Sequence, residues 1–154
     1  MNSNQICSTD VSNDIKFIRN SKWNKEELLH NNREYLKSIS NLSTVGFLII
    51  DDSVIEKQTM RRKMESLGWH YSHSKGGLVY GHCFVSSHYR IGNLSIPYDI
   101  VFYKNKKVAK KEGVKFRSKQ EIACELVDNF KSFYDEKLYV LTDSWYTSKN
   151  FIYR

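Results

Sequence analysis

The chain has 154 residues, of which 40% are hydrophobic, 14% aromatic and 27% charged, and its formal net charge is +7. That length and balance describe a single domain with room for a core and exclude a chain that is disordered throughout. The positive excess fits a polyanionic partner such as nucleic acid.

Residues 1–14 are rich in Asn, Ser and Asp and read as a loose tail, continuing to about residue 22. A helix is predicted over 24–39, because Asn24 can cap it and Glu27 completes a capping-box spacing. Leu28, Leu29, Tyr35, Leu36 and Ile39 form its apolar stripe. Residues 45–50 are a short continuous apolar run, the pattern of a strand buried on both faces, and the run stops at Asp51 and Asp52. A basic segment follows with Lys57, Arg61, Arg62 and Lys63. Lys75-Gly76-Gly77 marks a hairpin turn between β-rich stretches, with strands predicted over 78–89 and 94–103. Pro97 suggests an edge or an irregular start for the second of these. Residues 104–115 hold six lysines and read as an exposed loop. The strongest helix pattern spans 118–134. Ser118 caps it, Glu121 completes a second capping box, and Ile122, Ala123, Leu126, Val127, Phe130 and Phe133 share one face. A last strand over 137–143 ends on Asp143, and 144–154 reads as the start of another helix.

Cys7, Cys83 and Cys124 are odd in number and irregular in spacing, which excludes a disulfide framework or a Cys-x-x-Cys zinc ribbon. Reduced thiols in the cytosol are the expectation. The polar start has no pattern of a secretory leader, and no apolar run approaches bilayer-spanning length, so the predicted localisation is cytoplasmic.

A lone aspartate at a strand end is ordinary turn chemistry. Two strands that each deliver a carboxylate to one sheet edge are more specific, because hard divalent cations take oxygen ligands there. The expected fold is α/β (α+β): a meander, a crossover helix, and a strand parallel to the first. Three blocks in this order, IIDDSVIEK, GWHYSHSKGGLVYGHCFV and VLTDSWYTSKNFI, resemble the core of bacterial insertion-sequence transposases of the DDE class. The resemblance covers about residues 23–154 and implies a ribonuclease H-like mixed sheet, incomplete at its carboxyl end. The expected organisation is a tail over 1–22, a helical segment over 23–42 and a partial catalytic domain over 43–154.

The resemblance further implies Asp52 and Asp143 as catalytic metal ligands. They would hold two Mg²⁺ or Mn²⁺ ions roughly 4 Å apart for in-line displacement at phosphorus. Asp51 and His82 would stand beside that site. Without cations, two close carboxylates repel, and one takes up a proton. The implied partner is DNA, both transposon ends and target, with association to an intact transposase and with the nucleoid. Arg61, Arg62, Lys63, Lys106, Lys107, Lys110 and Lys111 are candidate phosphate contacts, although solvated loops are the favoured reading of both stretches. The family's third carboxylate is missing, since residues 144–154 contain no Asp or Glu. A truncated transposase, inactive alone, is the expectation. The alternatives are a non-catalytic DNA-binding or regulatory remnant of such an element, and an unrelated nuclease using Asp51, Asp52, Asp143 and Glu56. His70, His73, His82, His88 and Cys83 raise a zinc site, although only His70 and His73 are closely spaced. Trp145 and Tyr146 read as core residues before base-stacking ones.

Overall fold

A computed structural model of the chain describes residues 16, 20–22, 24–39, 45–57, 64–132 and 136–153. The chain divides into two compact units, Met1–Ser38 and Ile39–Arg154. The first contains all but the last residue of α1 (Lys25–Ile39), entered as its sequence predicts: Asn24 Oδ1 accepts the Glu27 amide at 2.7 Å. Leu28 and Tyr35 of its stripe are exposed.

The second unit is a mixed α+β fold built on one five-stranded sheet. Its elements run β1 (Val45–Glu56), β2 (Gly68–Ser72), β3 (Gly77–Ile91), β4 (Leu94–Tyr103), α2 (Lys106–Glu112), α3 (Lys119–Asp128), β5 (Lys137–Thr142), a 3-10 turn (Ser144–Tyr146) and α4 (Lys149–Ile152). β3 is the spine: it pairs antiparallel with β1, with β2 and with β4. β2 and β4 pair with successive stretches of it, Gly77–Gly81 and Cys83–Ile91. β5 returns after the helices and lies parallel to β1, with Ile50 opposite Thr142. Two antiparallel neighbours along most of its length make β3 the most constrained strand. At Gly81 that packing leaves no room, since a Cβ there would meet the Ile55 carbonyl oxygen at 2.0 Å.

Alternation along β1 separates two faces. Leu48 and Ile50 are buried with Val85, Ile122, Ala123, Leu126 and Tyr146 in the core under α3. Asp52 shares that face, whereas Asp51 points to the other. Pro97 sits on β4, which pairs only with β3, opposite His88 and beside the register shift at Ser87/His88, as its missing N–H requires.

Four expectations change. β1 does not stop before the aspartates: the long β3 keeps pairing with it as far as Glu56, so Asp51 and Asp52 lie within the strand. They do pass the end of β5, which stops opposite Ile50. The lysine-rich stretch is not a loop, because Val108 and Ala109 bury one side of α2. Asn105 caps that helix, and Gly113 closes it in the left-handed conformation, φ 66°. α3 ends at Asp128, short of the predicted limit. Phe130 has left the helix and packs against Tyr89 and Tyr98, with ring centroids 5.0 and 4.8 Å away. Finally, 144–154 forms a 3-10 turn and a short helix in place of one helix start. No helix among the described residues is long and apolar enough to cross a membrane.

Candidate functional site

The carboxylate of Asp52 is the centre of the best-organised polar cluster on the helix-covered face. Lys119 Nζ donates to its Oδ2 at 2.5 Å, and Tyr146 Oη donates to its Oδ1 at 2.8 Å. Both members of the ion pair are mostly buried, with side chains 22% and 23% exposed. Three separate elements meet at this carboxylate: β1, the first turn of α3 and the 3-10 turn after β5.

Local sequence explains how each arrives. Ser118 Oγ accepts the Glu121 amide at 3.1 Å, and Glu121 Oε2 accepts the Ser118 amide at 2.6 Å, so a complete capping box starts α3. That places Lys119 at the first helical position. A cation there opposes the helix dipole, so tertiary pairing with Asp52 must account for the position. Tyr146 reaches the core because the chain tightens after Asp143, whose carbonyl accepts the Tyr146 amide at 3.0 Å. Gln120 Nε2 donates to the Trp145 carbonyl at 3.2 Å, tying that turn to α3.

The Lys119 ammonium is enclosed by π-faces as well. It lies 5.6 Å from the Tyr103 ring centroid and 5.9 Å from that of Trp145. Burial pulls the Lys119 pKa down, but the hydrogen bond and negative charge of Asp52, with the neighbouring Cys83, outweigh it, and the group is held above its ordinary value. Burial, then the hydrogen bond to Asp52 and its negative charge, push the Tyr146 phenol far up, so it stays a donor. Burial also raises the Cys83 thiol, which keeps it protonated and unreactive.

The other predicted site residues are dispersed. Asp143 follows β5 and is exposed; its Oδ1 accepts the Ser144 hydroxyl at 3.0 Å. Asp51 stands on the opposite face of β1, its Oδ1 accepting the Asp52 amide at 2.8 Å. His82 pairs in register with Ile55 and so shares that opposite face, with its Nε2 2.9 Å from the Glu65 carbonyl oxygen. Neither stands beside Asp52, because strand alternation separates them. Lys106, Lys107, Lys110 and Lys111 are exposed on α2. Arg61, Arg62 and Lys63 lie outside the described residues.

A divalent cation asks for several oxygen ligands in one shell. Among the described residues no group of three or more His, Cys, Asp and Glu gathers to hold a metal. At Asp52 an ammonium already occupies the cation's place. The residues as arranged therefore do not fit the two-ion site, and among the described residues His70, His73, His82, His88 and Cys83 do not gather into a zinc shell either. His70 is instead buried edge-on to Tyr103, with centroids 5.8 Å apart.

Lys119 and Tyr146 were missed as partners of Asp52. The one signal in the sequence was a cation placed directly after a helix cap, against the dipole. Compared with known proteins, the chain matches no family model, no curated protein and no solved structure.

Proposed function

We propose that the second unit belongs to the catalytic domain of a DDE-class, ribonuclease H-like DNA transposase, with Asp52 and Asp143 as two of its acidic residues. The observation that carries the reading is the parallel pairing of β1 with β5. With Ile50 opposite Thr142, Asp52 within β1 and Asp143 just past the end of β5 stand at the same end of two adjacent parallel strands. The order β4-β3-β1-β5, with only β5 parallel to β1 and helices between β4 and β5, supports the reading too. DNA is the partner this implies, and Mg²⁺ or Mn²⁺ would enter only with Lys119 displaced from Asp52. Lys119 holds Asp52 in a neutralised arrangement, so the chain alone is expected to bind such ions weakly and to cut no DNA.

The test is calorimetric titration of Mn²⁺ into the wild-type chain, Asp52→Asn and Asp143→Asn. Weaker uptake in both variants is expected, and unchanged uptake in both would sink the assignment. A second reading, a non-catalytic DNA-binding remnant of such an element, is favoured by the Lys119–Asp52 pair itself. A carboxylate with its own built-in cation needs no metal to be stable. DNA affinity that ignores Mn²⁺ and both aspartate variants supports this second reading. Metal-dependent nicking by the purified chain would overturn both.

A further inference from the structure

Away from Asp52, the start of β2 and the side of α2 enclose a cavity of about 470 Å³. Its floor is aromatic: Trp69 on β2 faces Tyr80 on β3 in register, with ring centroids 5.5 Å apart. Trp69 is 55% exposed, although its neighbours Gly68 and His70 are buried. Its rim is cationic, formed by Lys106, Lys107 and Lys111, and among the described residues no acidic side chain lines it.

The parts are held in fixed relation. Asn105 Oδ1 accepts the Val108 amide at 3.0 Å and caps α2, while its Nδ2 donates to the Trp69 carbonyl at 3.1 Å. A Cβ at Gly68 would meet Asn105 Nδ2 and Val108 Cγ2 at 2.8 Å, so the helix lies directly on the strand. The lysines therefore keep their position at the groove that Trp69 also lines. Lys106 is partly committed, with its Nζ 5.5 Å from the Phe116 centroid. Lys107 and Lys111 enter no ion pair among the described residues. They are four apart on one helix face, a like-charge spacing that destabilises a helix unless an anion bridges it.

We propose that this groove binds single-stranded nucleic acid, with Trp69 as the stacking platform for an unpaired base and Lys107 and Lys111 as contacts to its phosphates. The proposal rests on the DNA-binding reading above and adds where, and in which strand state, contact is made. Rigid aromatics beside a cationic track are the general means of holding unpaired strands, because every base has a π-face. A duplex keeps those faces stacked inside and leaves Trp69 nothing to stack on. An acidic peptide would satisfy the lysines but has no use for the ring pair.

The experiment measures fluorescence anisotropy of a labelled oligothymidylate, and of a duplex of equal length, with the full chain. Trp69→Leu should weaken oligothymidylate binding by between about 5-fold and about 150-fold, the range of one base–aromatic stack. Trp69→Phe should retain most of the affinity, and duplex binding should change by less than about 2-fold. Trp69 is half exposed, but the surface double variant Lys107→Gln/Lys111→Gln gives an arm independent of its folding. In that variant the slope of log K against log salt for the single strand should shrink by about 1.4, two phosphates at about 0.7 each. Equal single-strand affinity of Trp69→Leu and wild type overturns the groove while leaving duplex binding, and with it the transposase reading, intact. Displacement of the oligonucleotide by polyglutamate as readily as by unlabelled oligothymidylate overturns it in favour of an acidic peptide. A wild-type chain that binds neither strand form overturns the groove and the DNA-binding reading together.

Discussion

Replacing Lys119 with Met removes the ammonium but keeps much of the side chain's length. Asp52 then keeps only the Tyr146 hydroxyl, in a site where it is 23% exposed. Removing one partner of a fully buried pair costs about 3–5 kcal/mol, and of a surface pair about 0–1 kcal/mol. With about a fifth of each side chain exposed, the expected loss lies between these, about 2 kcal/mol. That would lower the midpoint of thermal unfolding by about 4–8 °C for a chain of this size. The assay is urea unfolding followed by circular dichroism for wild type, Lys119→Met, Asp52→Asn and the double variant. The double variant should recover at least about 1 kcal/mol relative to the sum of the singles, because it leaves no stranded charge. Additivity within about 0.5 kcal/mol would refute the reasoning, since it means the two groups do not interact. The pH dependence gives a second check. The Lys119 pKa is raised above 10.5 in the fold, so its contribution is fully present below that value and is lost as pH rises through the folded-state pKa. The deficit of Lys119→Met should therefore stay constant from pH 7 to 9 and close only in strong alkali.

Two further outcomes follow from other parts of the sheet. Gly81→Ala should destabilise by about 3 kcal/mol or more in the same urea assay, because its Cβ meets backbone that β1 and β3 cannot separate without breaking their ladder; a loss below about 1 kcal/mol would mean that the ladder yields easily. Burial, then the nearby charges of Lys119 and His82, hold the His70 pKa below 6.5, so the unfolded chain binds the extra proton and stability falls as pH drops below about 6.5. Between pH 6.5 and 5.5, His70→Phe should lose a slope of up to about 1.4 kcal/mol per pH unit, and an unchanged slope would place the acid sensitivity elsewhere.

Several features were legible because they are local. The capping box at Ser118 and Glu121 forms as read, since its four groups lie within one turn. The hairpin at Gly76 forms where a residue with φ 64° is needed, which glycine supplies. The parallel return of β5 follows from strand, helix and strand in that order. What stayed hidden depended on distant partners. The extent of β1 is set by the length of β3, so the apolar run alone ends it six residues early. α2 was masked by its lysines, because only Val108 and Ala109 are buried and a two-residue face has no readable period.

The candidate site divides the same way. Sequence alone placed Asp143 at the exit of β5 and Asp52 just after the apolar run of β1, because apolar runs with polar ends are a local pattern; that β1 continues through Asp52 was set by its pairing with β3. Sequence also determined the charge excess and the start of the helix that covers the core. Only the tertiary structure decided that Asp52 faces Lys119 and Tyr146, across 67 and 94 residues of chain, while Asp51 and His82 face away. The physical reason is register: a strand alternates its side chains, so the residue opposite it, and not its neighbour in sequence, determines what a carboxylate meets.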